Sequence, residues 1–369
     1  MGSLRVFMYS MVFYAIVSIQ ITCCQSKICL PEKQAALFIF GDSLFDVGNN
    51  NYINTTTSAQ ANFEPYGKTF FKYPTGRFSD GRVIPDFIAE YAKLPLLLPY
   101  LHPASSLDDY IFGVNFASGG SGALIETSEG ILVDLNTQVK YYKNVRDVLR
   151  KKLGNKEAKT LLSRSVHLFS VGANDYGARF VSNSSDLLRY SKHQLVDIVI
   201  GNITDAIKEI HNLGGRKFAF VNMGPIGCTP TIRFTVEGYK CNEEMIESAK
   251  LHNVELPTML QKLQKQLAGF KYSVFDFYSS LSQLMKYPSK YGFKEGKVAC
   301  CGGGAYRGDD SCGGKRGIKK YELCENVNDY VFFDSPHPTE KANQHFSSLM
   351  WSANLTFNKP YNMEQLFEF

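Results

Sequence analysis

The chain has 369 residues, 44% of them hydrophobic and 20% charged, with a formal net charge of +5. This composition suits a folded protein with a large buried core and excludes a disordered or collagen-like chain. The charge is too small to argue for nucleic acid or an acidic membrane surface as a partner.

At the N-terminus, Arg5 precedes a nearly unbroken apolar run over residues 6–19, followed by small residues at Thr22, Cys23, Cys24 and Ser26. The run is short for a membrane span and suits a cleaved secretory signal over residues 1–24. An uncleaved anchor is the alternative. No later stretch reads as a membrane span; residues 94–101 are apolar but interrupted by Pro95 and Pro99.

Past the leader, short apolar runs rich in β-branched and aromatic residues alternate with helical patterns. Strands are predicted at residues 35–40, 110–116, 166–171, 217–221, 272–277 and 330–333, and their continuous apolar character suits parallel strands covered on both faces. Residues 140–152 carry Lys140, Lys143, Arg146, Arg150, Lys151 and Lys152 at helical spacing, which reads as a solvated helix face. Residues 195–212 place Val196, Val199, Ile203, Ile207 and Ile210 on one helical stripe that ends at Gly214-Gly215, and residues 245–267 are similar. The alternation predicts an α/β sandwich with a mostly parallel sheet, in which ligands gather at the carboxyl ends of the strands.

Export predicts two further features. Asn54, Asn183, Asn202 and Asn354 each begin an Asn-x-Ser/Thr glycosylation acceptor. Seven cysteines remain after Cys23 and Cys24 leave with the leader, and an oxidising compartment pairs most of them. Cys228 and Cys241 can bridge a loop, Cys300, Cys301, Cys312 and Cys324 can form two more bonds, and Cys29 is left over. A zinc site in residues 300–324 lacks paired Cys-x-x-Cys spacing.

Four segments at strand ends carry candidate chemistry. Ser43 follows the first strand in Gly41-Asp-Ser43, just before an expected helix start whose N–H groups would favour negative charge. Read alone, it is equally an N-cap, and it is not the Gly-x-Ser-x-Gly elbow. Asp334 and His337 follow the last strand, three residues apart, so one turn can supply a base and the carboxylate that orients it. Read alone, this is a surface loop with a capping Asp. A glycine-rich loop at 115–122 and Asn174 after the third apolar run could stabilise charge. A backbone N–H from Ser43, one from Gly120 (or its neighbour Gly119) and the Asn174 amide would make an oxyanion hole. Read alone, the loop is a turn and Asn174 an Asx-turn residue.

Taken in order, the four segments resemble the signature blocks of the GDSL or SGNH hydrolase superfamily. Gly41-Asp-Ser-Leu-Phe-Asp-Val-Gly-Asn-Asn50, Pro74-Thr-Gly-Arg-Phe-Ser-Asp-Gly-Arg82, Gly113-Val-Asn-Phe-Ala-Ser118, Tyr291-Gly-Phe293 and Ala299-Cys-Cys-Gly302 look like the plant secreted GDSL esterase/lipases, a group that includes defence-associated lipases. The resemblance runs from about residue 34 nearly to the C-terminus. It implies a three-layer, flavodoxin-like α/β/α fold formed by a single hydrolase domain over residues 25–369. It also implies a catalytic triad of Ser43, His337 and Asp334, with Ser43, Gly120 and Asn174 as the oxyanion hole. The expected activity is hydrolysis of a small-molecule or lipid ester through an acyl-enzyme, without cofactor or metal. Two other readings stand beside it: an acyltransferase on the same triad, and a secreted binding protein on an inactive hydrolase fold.

Overall fold

The computed structural model describes residues 34–103, 107–128, 131–181, 185–353 and 356–369. The expected signal segment, Cys29, Asn183 and Asn354 lie outside the described residues.

The strands are β1 (Leu37–Gly41), β2 (Gly113–Asn115), β3 (Val166–Ser170), β4 (Lys217–Val221), β5 (Lys271–Phe275), β6 (Glu295–Ala299), β7 (Cys301–Gly302), β8 (Glu322–Leu323), β9 (Tyr330–Phe332) and β10 (Asn358–Lys359). The central sheet has the order β10-β5-β4-β3-β1-β2, with β1 to β5 parallel and β10 antiparallel on the edge. The five runs expected between residues 35 and 277 are therefore its parallel strands. The run at 330–333 departs from expectation. It is a strand, but it pairs in parallel with β6 in a separate two-stranded sheet.

Helices pack on both faces of the central sheet. They are α1 (Ile84–Tyr91), α2 (Leu135–Leu153), α3 (Asn155–Arg164), α4 (Ala173–Val181), α5 (Lys192–Asn212), α6 (Glu243–Gln266), α7 (Phe277–Lys286), α8 (Glu340–Ser352) and α9 (Met363–Glu368). α2 to α6 cover one face, while α1 and α7 to α9 cover the other. This is the α/β sandwich with a mostly parallel sheet that the strand–helix alternation implied. Among the described residues no helix is long and apolar enough to cross a membrane.

Strand alternation sorts the core. In β1, Phe38 and Phe40 face one helical layer while Leu37 and Ile39 face the other. Parallel register then aligns rings across strands, with Phe38 beside His167 and Phe218, and Phe40 beside Phe169 and Phe220. The rings stack in two rows: Phe38–His167–Phe218 at 5.4 and 5.2 Å between centroids, and Phe40–Phe169–Phe220 at 4.7 and 5.1 Å. His167 sits in this apolar row as a neutral ring. Burial pushes its pKa down to about 3, and its nitrogens meet the Tyr142 hydroxyl and the Lys217 carbonyl. A slipped register would break both rows, so the aromatic content fixes how the strands align.

The helices start and stop where the sequence marks them. Ser191 caps α5 by accepting from Gln194 N–H, and Gly214 ends it with φ at 124°. In α2 the basic residues face solvent or are half-buried, while Val139, Tyr142, Val145, Leu149 and Leu153 are buried. Among the described residues three disulfides form, Cys228–Cys241, Cys300–Cys324 and Cys301–Cys312. The last two pin residues 300–324 beside the end of β9, where Cys301 N–H donates to the Phe333 carbonyl at 2.7 Å.

Candidate active site

Ser43 lies just past β1, where the strand order reverses between β1 and β3, the usual ligand crevice of an open parallel sheet. Its turn is tied down from several sides. Gln138 clamps Gly41, accepting from its N–H at 2.8 Å and donating to its carbonyl at 2.9 Å. Phe45 and Asp46 N–H groups donate to the Asp42 carbonyl at 3.1 and 2.9 Å. The helix start expected here is absent. The Asp46 carboxylate instead accepts Gly48 and Asn49 N–H groups at 2.7 and 2.8 Å, and Gly48 turns the chain away with φ at 125°. Ser43 is therefore held in a loop and not at the start of a helix.

His337 meets Ser43 from the opposite end of the chain. Its Nε2 is 2.7 Å from Ser43 Oγ, and its Nδ1 is 2.7 Å from Asp334 Oδ1. The Asp334–His337 segment is a tight turn in which His337 N–H also donates to Asp334 Oδ1 at 2.9 Å. Asp334 is buried. Burial alone would raise its pKa, but His337, Arg316 and the Tyr66 hydroxyl outweigh that and hold it below the usual carboxylate value. The carboxylate thus stays charged and fixes Nδ1 as the protonated nitrogen, leaving Nε2 to accept the serine proton.

The glycine loop and Asn174 converge on the same point. Gly119 N–H is taken by Asp46 Oδ2 at 2.9 Å. Gly120, at φ 81°, lines the cavity with Ser43, and among the described residues no hydrogen bond engages its N–H. Of the two glycines, Gly120 is therefore the one with a donor to offer. Asn174, in the first turn of α4, donates one amide hydrogen to the Ser121 carbonyl at 2.9 Å and also lines the cavity. Asp175 holds the rest of the loop, accepting from Ala123 and Leu124 N–H groups at 2.9 and 3.0 Å and from the Thr127 hydroxyl.

Buried carboxylates organise these loops. Burial pushes Asp42 up to about 7, opposed by the Leu44 N–H it accepts and by nearby His337. Burial likewise pushes Asp46 and Asp175 up to about 6, against the N–H and hydroxyl groups that donate to them. Neither Asp42 nor Asp46 bonds His337; the carboxylate on the imidazole is Asp334.

A cavity of about 640 Å³ opens over Ser43 and His337. Its walls are mostly apolar, with Leu44, Val171, Met223, Ile232, Met245 and Phe277 among them. Several partners in the site were not singled out from sequence: Gln138, Tyr66, Asp310 and Arg316. Gln138, Tyr66 and Arg316 each act across a long stretch of chain, so no local pattern marks them. Of the sequence-expected glycan acceptors, Asn54 and Asn202 are exposed.

The GDSL-like lipase/acylhydrolase family matches the chain over residues 37–350. GDSL esterase/lipase 1 of Arabidopsis thaliana is 50% identical over 357 residues, covering 96% of this chain and 95% of that protein. GDSL esterase/lipase 5 of the same plant is 50% identical over 339 residues, 90% of this chain and 87% of that protein. A GDSL lipase of Tanacetum cinerariifolium is 49% identical over 341 residues, 92% and 90% of the two chains. With a serine, an imidazole and a buried carboxylate in hydrogen-bonded sequence at the wall of an apolar cavity, and relatives of this closeness, the chain belongs to the GDSL-like lipase/acylhydrolase family and is a carboxylic ester hydrolase.

Proposed function

We propose that the chain hydrolyses small-molecule or lipid esters through an acyl-enzyme on Ser43. The observation that carries this reading is the 2.7 Å contact between Ser43 Oγ and His337 Nε2, with Asp334 2.7 Å behind the imidazole. Ser43 Oγ attacks the ester carbonyl carbon as its proton passes to His337 Nε2. The tetrahedral oxyanion is held by the N–H groups of Ser43 and Gly120 and by Asn174 Nδ2. Collapse breaks the bond to the alcohol, which leaves with the proton from His337. Water repeats the sequence, giving the acid and free Ser43. Asp334 keeps the imidazole oriented and steadies its charged form. The apolar cavity walls favour an acyl group over a polar one.

The same reading includes export: cleavage of residues 1–24, a single hydrolase domain over residues 25–369, secretion, and glycans at Asn54, Asn183, Asn202 and Asn354. Exposure of Asn54 and Asn202 supports it. The mechanism is tested by Ser43→Ala, which should fold normally and lose ester turnover by roughly four orders of magnitude or more. Wild-type protein should be labelled covalently by a fluorophosphonate and the variant should not. Near-normal turnover in purified Ser43→Ala would remove Ser43 from the chemistry and point to another nucleophile, whereas wild-type protein without turnover or label would leave the non-catalytic binding reading.

A further inference from the structure

Behind Asp334 lies a second layer of polar groups that hydrolysis as described does not use. The Tyr66 hydroxyl, wholly buried, donates to Asp334 Oδ2 at 2.7 Å. Arg316 Nη1 donates to the same hydroxyl oxygen at 2.8 Å and pairs with Asp310 Oδ1 at 2.7 Å. Its Nη2 donates to the Gln60 carbonyl at 2.7 Å. The guanidinium lies 5.3 Å from the Phe63 and Tyr66 ring centroids and 5.9 Å from that of Phe78. Phe78 in turn stands 4.9 Å from the His337 ring. The Arg316 side chain is only 2% exposed.

Arg316 is brought there by covalent means. It sits on the loop closed by Cys300–Cys324 and just beyond the Cys301–Cys312 bond. That loop packs tightly on the segment preceding Tyr66: a Cβ on Gly313 would come within 2.4 Å of the Glu64 carbonyl and 2.7 Å of the Phe63 ring. A guanidinium with this many fixed partners is held in one orientation. Its bond to the Tyr66 oxygen leaves the phenolic hydrogen directed at Asp334.

We propose that Tyr66 and Arg316 are positioning residues for the hydrolysis: Arg316 orients the Tyr66 hydroxyl, which locks the Asp334 carboxylate in the plane that His337 requires. This rests on the reading of Ser43, His337 and Asp334 as the catalytic triad. A carboxylate held by one imidazole and one backbone N–H can still rock about its Cβ–Cγ bond. A third donor on Oδ2 removes that freedom.

The test compares Tyr66→Phe, Arg316→Gln, Arg316→Lys and Ser43→Ala in one ester assay, with kcat, KM and melting temperature for each. Tyr66→Phe keeps the ring and removes only the hydroxyl. It should lower kcat by about tenfold to a hundredfold, the factor that a hydrogen bond to a charged group supplies. KM should change little in Tyr66→Phe. Arg316→Gln and Arg316→Lys, the latter keeping the charge but not the fork, should lower kcat by a similar factor with KM again little changed. Wild-type kcat in folded Tyr66→Phe or Arg316→Gln, with or without a lower melting temperature, would overturn the proposal and leave a merely structural network. If Tyr66→Phe does not fold, the two Arg316 variants decide. Ser43→Ala separates the two levels: an active Ser43→Ala sinks the triad reading itself, whereas an inactive one beside wild-type Tyr66→Phe and Arg316→Gln sinks only the role of the second layer.

Discussion

Asn174 has one amide hydrogen committed to Ser121 and its head at the cavity wall. The committed hydrogen fixes the amide, so the other donor is in place before charge develops. A fixed donor grips a full negative charge more tightly than a neutral carbonyl. Asn174→Ala is expected to lower kcat by roughly 10²–10³ with little change in KM. Were Asn174 only a tie to Ser121, the variant would melt earlier yet turn over normally once folded, so melting temperature and kcat on one preparation decide. Asp42 makes a different prediction. Its folded pKa is pushed from the ordinary carboxylate value to about 7 by burial. A raised value means that the folded state binds the proton more tightly than the unfolded one. The stability from this group is therefore complete below the unfolded pKa and is lost as pH rises through about 7. Lowering the pH from about 8 to about 6.5 should raise the melting temperature of wild type more than that of Asp42→Asn. Buried His167 and His252, both lowered by burial, work the other way as the pH nears their unfolded value of 6.5, but they act alike in the two proteins and cancel in the comparison. An equal gain in both proteins would show that Asp42 does not titrate in this window.

At the scale of elements, the site is an assembly of loops held by buried carboxylates and amides. Asp46 ties the serine loop to the glycine loop through Gly119, and Asp175 ties the glycine loop to α4. Asn50 joins the same set, donating to the Ala59 and Gly119 carbonyls at 2.6 and 2.8 Å. None of these groups need touch a substrate, yet each fixes one that lines the cavity. The glycine loop also has no room to spare. A Cβ on Gly119 would fall 2.4 Å from the Phe78 ring, and Phe78 abuts His337. Gly119→Ala is expected to displace Phe78 and lower kcat by about tenfold or more, since a misplacement of the order of 1 Å at a base can cost as much as 10². Steady-state kinetics beside a circular dichroism spectrum will check this. A folded variant with wild-type kcat would mean that Phe78 yields without moving the imidazole.

For the whole molecule, the expectations concern export. A leader over residues 1–24 and four acceptor sites predict a glycoprotein whose N-terminus begins near Gln25 or Lys27. Peptide-N-glycosidase treatment of the secreted protein should lower its apparent mass, and N-terminal sequencing should find no Met1. Intact Met1 on cytosolic protein without glycan would refute the export reading. The disulfides agree with an oxidising destination, because all six cysteines among the described residues are paired.

What the sequence determined by itself was local. Five apolar runs became the parallel strands, because a strand buried on both faces declares itself in six or so consecutive residues. The stripe over residues 195–212 became α5 for the same reason, with its cap and its glycine stop within a few positions. Ser43, Gly120, Asn174, Asp334 and His337 each stood out as polar or turn residues after a strand-like run, and together by their match, in order, to the blocks of the GDSL hydrolases. Only the tertiary structure decided the rest. The run at 330–333 left the central sheet, since strand partners are set by the path of the chain and not by the strand's own residues. The helix expected after Ser43 gave way to a loop because the Gly48 and Asn49 N–H groups, which a continuing helix would have turned back on its own carbonyls, go to the Asp46 carboxylate, and Gly48 turns the chain away. Tyr66 reaches Asp334 across 268 positions, and Arg316 reaches Tyr66 across 250. No periodicity spans such distances. Two disulfides and the packing of one loop on another bring those side chains together, and that proximity exists only once the chain has folded.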